Sequence, residues 1–349
     1  VKDLKAAIES GDIEAFLRLC AQAVAERDID AIEIGLAALQ RLPAGLAEPL
    51  KRKVRETYPE LVAGLPAFAE SGAHGPLGPS TPLNALLQRA IDGDRDGALR
   101  EIRAGRVPKM PGGMALAEAI VRQVPARDAL PRPLLQDCGE DVLVTGRGER
   151  GTFVVFTGLG ERVWLDLPVF DAWLAQAGYR GVYLRDRSRK LYTEGIQAQG
   201  DRVRFEAQLK ALRDEESGEF VFMGASSGGF GAMYWACLLG VGRTLAFGSA
   251  TSTSTERLQA IGDDRVLLLQ RLLMPEGGGP DLREHMLATG HTGRVDLHYG
   301  GATRFDRAHA EYLDLPNVRH HPIDGWSHHQ MLQPLAASGR LPAILRGEA

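Results

Sequence analysis

Glu219-Phe-Val-Phe-Met-Gly-Ala-Ser-Ser-Gly-Gly-Phe-Gly-Ala-Met-Tyr-Trp-Ala236 runs from an apolar stretch, through a G-x-S-x-G pattern, into a run of small residues. The apolar run 219–223 predicts a buried strand, and 229–239 predicts a helix packed closely on its neighbours. Between them, Gly224-Ala225-Ser226-Ser227-Gly228 puts Ser226 on a sharp strand-to-helix turn, with its hydroxyl projecting from the C-terminal edge of a sheet. Glycine at 224 and 228 leaves room for the backbones that cross at such a turn. The first N–H groups of the helix would face a developing anion. Phosphate-binding loops share this strand–turn–helix outline. Gly228-Gly229-Phe230-Gly231 does not fit G-x-G-x-x-G, however, and no Gly-Lys-Ser/Thr end closes a P-loop.

Outward from this segment, short β-branched and aromatic runs alternate with helical stretches. Strands are predicted at 141–145, 152–157, 181–185, 244–247, 295–299 and 318–322, the first two as a hairpin. Helices are predicted at 167–177, 202–213, 256–273 and 306–313. This alternation implies an α/β domain with a mostly parallel sheet flanked by helices. The texture changes near Pro131-Arg132-Pro133. Upstream, residues 1–130 read as an all-α region, with stripes such as Ile13, Phe16, Leu17, Cys20 and Ile32, Leu36, Leu39. Asp12 is a candidate cap, and 64–82 is a Gly- and Pro-rich linker before helical spacing resumes at Leu83. The α/β domain is expected over 131–349.

The segment around Ser226 resembles the nucleophile turn of the α/β-hydrolase superfamily, and the likeness extends from about Val142 to the C-terminus. It is similar to bacterial hydrolase modules carrying an added helical N-terminal region. The resemblance implies a triad in the chain order nucleophile, acid, histidine. Ser226 then matches the nucleophile. Asp306, in Gly300-Gly301-Ala302-Thr303-Arg304-Phe305-Asp306, follows a late strand and matches the acid, although a helix N-cap is its plain structural alternative. Asp324-Gly325-Trp326-Ser327-His328-His329 follows the last strand, and His329 is preferred to His328 as base because it abuts the next helix. A serine hydroxyl needs such a base, and the base needs an acid to fix its tautomer. The N–H of Ser227 and that of Leu159, in the Gly-rich loop after strand 152–157, are the expected oxyanion donors.

The resemblance implies a serine esterase, or a related acyl-transfer enzyme, acting on a small-molecule or glycan ester and needing no cofactor or metal. The alternative is a catalytically silent hydrolase fold that binds a protein partner through its helical region. Adjacent histidines such as His320-His321 point to opposite strand faces, so they do not readily chelate one ion. The Arg-rich stretch 183–192 could attract an anion or be a solvated loop. The segment 251–293 could form a lid. Across 349 residues, 41 Lys plus Arg against 45 Asp plus Glu give a net charge of −4, which argues against a dedicated nucleic-acid or membrane-surface protein. Three widely spaced cysteines suggest no disulfide framework, and the N-terminus lacks a signal-peptide core, so a cytoplasmic location is expected.

Overall fold

The computed structural model describes residues 81–106, 112–136, 140–158, 160–188, 190–261, 263 and 280–348, together with the helical positions Ala15, Leu19 and Gln22. The expected stripes Ile13, Phe16, Leu17, Cys20 and Ile32, Leu36, Leu39 lie outside these residues. So do the Asp12 cap, the linker up to residue 80, and residues 264–273 of the predicted helix. The chain divides into two units, Val1–Ala73 with Ser252–Asp281 and His74–Thr251 with Leu282–Ala349.

Three helices open the larger unit: α1 (Pro82–Ile91), α2 (Arg95–Arg103) and α3 (Gly113–Gln123). Thr81 caps α1 by accepting the Asn84 N–H at 3.2 Å, with proline at the first helical position, and Asp94 caps α2 through the Gly97 N–H at 3.0 Å. There follow β1 (Val142–Val144), β2 (Gly151–Phe156), α4 (Leu167–Gln176), β3 (Tyr179–Leu184), α5 (Arg202–Asp214), β4 (Glu219–Ala225), α6 (Ser227–Leu239) and β5 (Arg243–Phe247). Helix α7 (Thr255–Ile261) lies in the smaller unit, where Ser252 also bridges to Asp281. The larger unit resumes with α8 (Leu282–Thr289), β6 (Arg294–Gly300), α9 (Arg304–Tyr312), β7 (Val318–Ile323), α10 (Leu332–Ala337) and α11 (Leu341–Arg346).

The seven strands form one sheet in the order β1-β3-β2-β4-β5-β6-β7, parallel except for β1. This is the helix-flanked, mostly parallel sheet of the α/β-hydrolase fold. The predicted hairpin is corrected: β1 pairs antiparallel with β3, and β2 runs parallel to both β3 and β4. The reason is burial. Every residue of β2 is buried, which suits a central strand, whereas β1 has only Leu143 fully buried and suits an edge.

Strand side chains alternate between faces. Phe153, Val155, Met223 and Phe247 share one continuous core with Leu87 and Ile91 of α1, Ile120 of α3, Trp173 of α4 and Leu335 of α10. The helices at 82–123 are therefore packed into the same core as the sheet. The crossing chain is bolted to α4 by a buried ion pair. Arg132 donates to both Asp171 oxygens at 2.8 and 2.7 Å, and the Leu135 N–H donates to the same carboxylate at 2.9 Å.

Candidate active site

Strands β2 to β7 all point one way, so the segments following them emerge on one edge of the sheet. Ser226 stands between β4 and α6 with φ 55° and ψ −123°, a left-handed conformation that a non-glycine residue adopts only under constraint from its surroundings. The constraint is steric. A Cβ at Gly224 would overlap the Gly228 carbonyl, and one at Gly228 would overlap the carbonyls of Phe156 and Thr157. Ser227 is the first residue of α6, so its N–H belongs to the helix's opening donors, which have no intrahelical acceptor.

Asp306 is not a helix cap. Thr303 holds that position, and Asp306 sits in the first turn of α9, where the helix N-terminus favours a negative charge. It is 3% exposed, against 16% for His329, so the acid is buried behind the histidine. Backbone hydrogen bonds join the segments after β6 and β7. The Gly301 N–H donates to Ile323 at 3.0 Å and the Ala302 N–H to Trp326 at 3.1 Å, which brings the acid's helix beside the histidine's loop. From the other side, the Thr251 N–H donates to His309 Nδ1 at 3.2 Å and the Thr251 hydroxyl to the His309 carbonyl at 2.7 Å. These bonds tie α9 to the segment after β5.

The result is a continuous chain of contacts. His329 Nδ1 lies 3.0 and 2.9 Å from the two Asp306 oxygens, and its Nε2 lies 3.0 Å from Ser226 Oγ. With Nδ1–H donating to the carboxylate, the Nε2 lone pair faces the hydroxyl, the tautomer a general base needs. His328 is exposed and packs instead against Trp326, with ring centroids 5.3 Å apart. Leu159 lies outside the described residues. Its neighbour Gly158 uses its own N–H on the Arg162 carbonyl at 2.9 Å.

Asp296, within β6 rather than beyond its end, is engaged elsewhere. It accepts from His321 at 2.9 Å and pairs with Arg294. Burial pushes its carboxyl up, but the bonds from His321 and Arg294 outweigh this and leave it below the usual range. Cys237 is no rival nucleophile, because burial pushes its thiol up to about 12. In the Arg-rich stretch, Arg185 is buried and Arg187 pairs with Asp141 at 2.7 Å, so both are built into the fold. Among the described residues no group of three or more metal-ligating side chains converges, and no helix is long and apolar enough to cross a membrane.

Two residues near the site adopt conformations that the sequence did not signal, although Trp164 reads as a core residue and Tyr192 ends the Arg-rich stretch. Trp164, with φ 62°, sets its indole perpendicular to the His329 ring at 5.2 Å. Tyr192, with φ 64°, is buried against the loop after β2. Non-glycine residues with positive φ carry no compositional mark, so only the folded chain identifies them.

No family model and no curated protein matches the chain. Solved structures do. An α/β hydrolase from the metagenome of lagoon sediments at Mar Chica, Morocco, is 16% identical over 62% of this chain and 97% of that one, with a TM-score of 0.40. Carboxyl esterase 2 of Tuber melanosporum is 9% identical over 59% and 80%, with a TM-score of 0.39. The capsule O-acetyltransferase of Neisseria meningitidis serogroup A is 9% identical over 59% and 90%, with a TM-score of 0.42. The fold assignment itself rests on the strand order, the antiparallel edge strand and the turn at Ser226.

Proposed function

Since this chain has the α/β-hydrolase fold, we propose that it is a serine hydrolase acting on a carboxylic ester of a small molecule or glycan, through an acyl-enzyme on Ser226. The observation that carries this reading is the Asp306–His329–Ser226 alignment, with 2.9 and 3.0 Å contacts on the two ring nitrogens. Ser226 Oγ attacks the ester carbonyl while its proton passes to His329 Nε2. The carbonyl electron pair moves onto oxygen, beside the Ser227 N–H at the start of α6. Collapse expels the alcohol, which takes the proton from His329 and leaves the acyl group on Ser226. Water, or another hydroxyl, then gives its proton to His329 and attacks the acyl carbon, and the departing Ser226 oxygen takes that proton back from His329 as the acid or new ester leaves. Asp306 holds the ring and stabilises the imidazolium formed in each half-reaction.

A fluorophosphonate probe tests the reading, because it labels only an activated serine. The full chain is expected to be labelled on Ser226, and Ser226→Ala to abolish labelling and to lower ester turnover by about 10⁶, the loss typical of a removed nucleophile. An unlabelled wild-type chain, or a label that persists on Ser227 in the variant, would overturn it.

A further inference from the structure

The steps above make no use of Tyr192, although it is the hub of the side of the site opposite the triad. Its side chain is 1% exposed, and its phenol lies 2.9 Å from the Thr157 carbonyl, 2.8 Å from the Leu184 carbonyl and 3.1 Å from Thr157 Oγ1. A phenol has one proton to give. The Leu184 carbonyl is also approached by the Thr157 N–H at 3.1 Å and the Thr157 hydroxyl at 3.0 Å, so the Thr157 carbonyl is the less occupied of the phenol's two acceptors. Tyr192 is itself fixed from three sides. Its N–H donates to Asp186 Oδ2 at 2.9 Å, its carbonyl accepts from Trp235 Nε1 of α6 at 2.9 Å, and its ring fills the space left by the missing side chain of Gly231. Leu191 and Tyr192 both have positive φ, 56° and 64°, strain of the kind that the surrounding contacts must hold in place.

The carbonyl of Thr157 and the N–H of Gly158 belong to one planar peptide. The phenol holds one end, and the Arg162 carbonyl holds the other at 2.9 Å. That peptide begins the loop from which the second oxyanion donor of this fold comes, and it passes directly beside the nucleophile: a Cβ on Gly158 would lie 3.6 Å from Ser226 Cβ. We propose that Tyr192 is a positioning residue for the oxyanion side of the site, its phenol setting the plane of the Thr157–Gly158 peptide that passes beside Ser226. The role rests on the serine-hydrolase reading. Burial raises the phenol far above its ordinary ionisation range, so the donor is present throughout the working pH range.

The test compares the full-length wild type with Tyr192→Phe, which keeps the ring and removes only the donor. Loss of one oxyanion donor costs about 10²–10³ in kcat, and a loosened donor is expected to cost less, about tenfold or more. The affinity of an alkyl boronic acid, which becomes tetrahedral on the serine, should fall by the same factor. KM and the acid limb of the pH profile should stay unchanged, because neither substrate contact nor His329 is altered. Asp186→Ala, which releases the Tyr192 backbone from outside the site, should give the same pattern more weakly, and it keeps the test open if Tyr192→Phe does not fold. Undiminished kcat and boronate affinity in these variants would overturn the role. So would a loss spread equally over KM and the pH profile, the sign of general damage. Absence of any ester turnover in the wild type would instead overturn the hydrolase reading itself, and this role with it.

Discussion

In the proposed mechanism His329 must be neutral to take the Ser226 proton, and the 2.9 Å contact between Nδ1 and Asp306 selects Nε2 as the nitrogen left to take it. Asp306→Asn removes the charged acceptor and allows the opposite tautomer, so turnover is expected to fall about 10⁴-fold with the fold intact. His329→Ala should eliminate turnover, while His328→Ala, at an exposed ring packed on Trp326, should leave it within a few-fold of wild type. Steady-state kinetics of the three variants, with circular dichroism for folding, decides the matter, and near-full activity in His329→Ala would remove the base from the scheme. Ser226 and the order of its partners were legible because a strand, a tight turn and a helix each leave a pattern in residue type. The choice between His328 and His329 turned on a single position, which patterning resolves poorly; in the folded chain it is the His329 ring that lies between Asp306 and Ser226. The conformations of Tyr192 and Trp164 were illegible for another reason. Their placement depends on strained backbone supported by distant contacts, and short-range sequence does not encode such support.

At the scale of elements, the turn at Ser226 exists because β4, α6 and the end of β2 approach to backbone contact. Gly228→Ala is therefore expected to destabilise the protein by at least about 1–3 kcal/mol, the usual cost of overpacking, since the added methyl meets the carbonyls of Phe156 and Thr157 rather than yielding side chains. Urea unfolding measures this directly, and a midpoint equal to wild type would show that the approach can relax. The strand runs at 219–223, 244–247 and 295–299 were found close to their observed bounds because these mostly buried strands are rich in apolar, β-branched and aromatic residues. The run 318–322 was found close to β7 although that edge strand buries only Val318. The pairing of β1 was misread for a physical reason. A Gly-rich turn between two strands looks like a hairpin locally, yet β2 needs neighbours on both sides to bury all six of its residues, and β3 takes the place between β1 and β2.

At the scale of the larger unit, one core runs from the helices at 82–123 through the sheet, so the helices and the site-bearing edge are expected to unfold together. Sequence patterning separated the helical and α/β textures but carried no information on whether their apolar faces meet, because amphipathicity marks a face and not its partner. Global stability should carry a pH signature from the other side of that core. His298 on β6 is 3% exposed, stacked between Phe247 and His321 at 4.8 and 4.5 Å, with Nδ1 buried and lacking a hydrogen-bond partner. Burial first, and then the neighbouring His321, lower its ionisation to about 3. In the unfolded chain the same ring titrates at about 6.5. Between these values the unfolded state binds a proton that the folded state refuses, so this contribution to stability is complete above about pH 6.5 and is lost progressively as the pH falls toward 3. Asp296 acts in a separate window: its depressed carboxyl stabilises the fold above the unfolded value of about 3.9 and loses that effect only below it. Going from pH 7 to pH 5 should therefore cost the wild type about 2 kcal/mol through His298 alone. His298→Phe keeps the stack and has no proton to bind, so the drop in unfolding free energy between pH 7 and pH 5 should shrink by about that amount. Urea titrations at the two pH values measure it. An identical drop in the variant and the wild type would mean that His298 takes up its proton in the folded state, and that this face of β6 admits water.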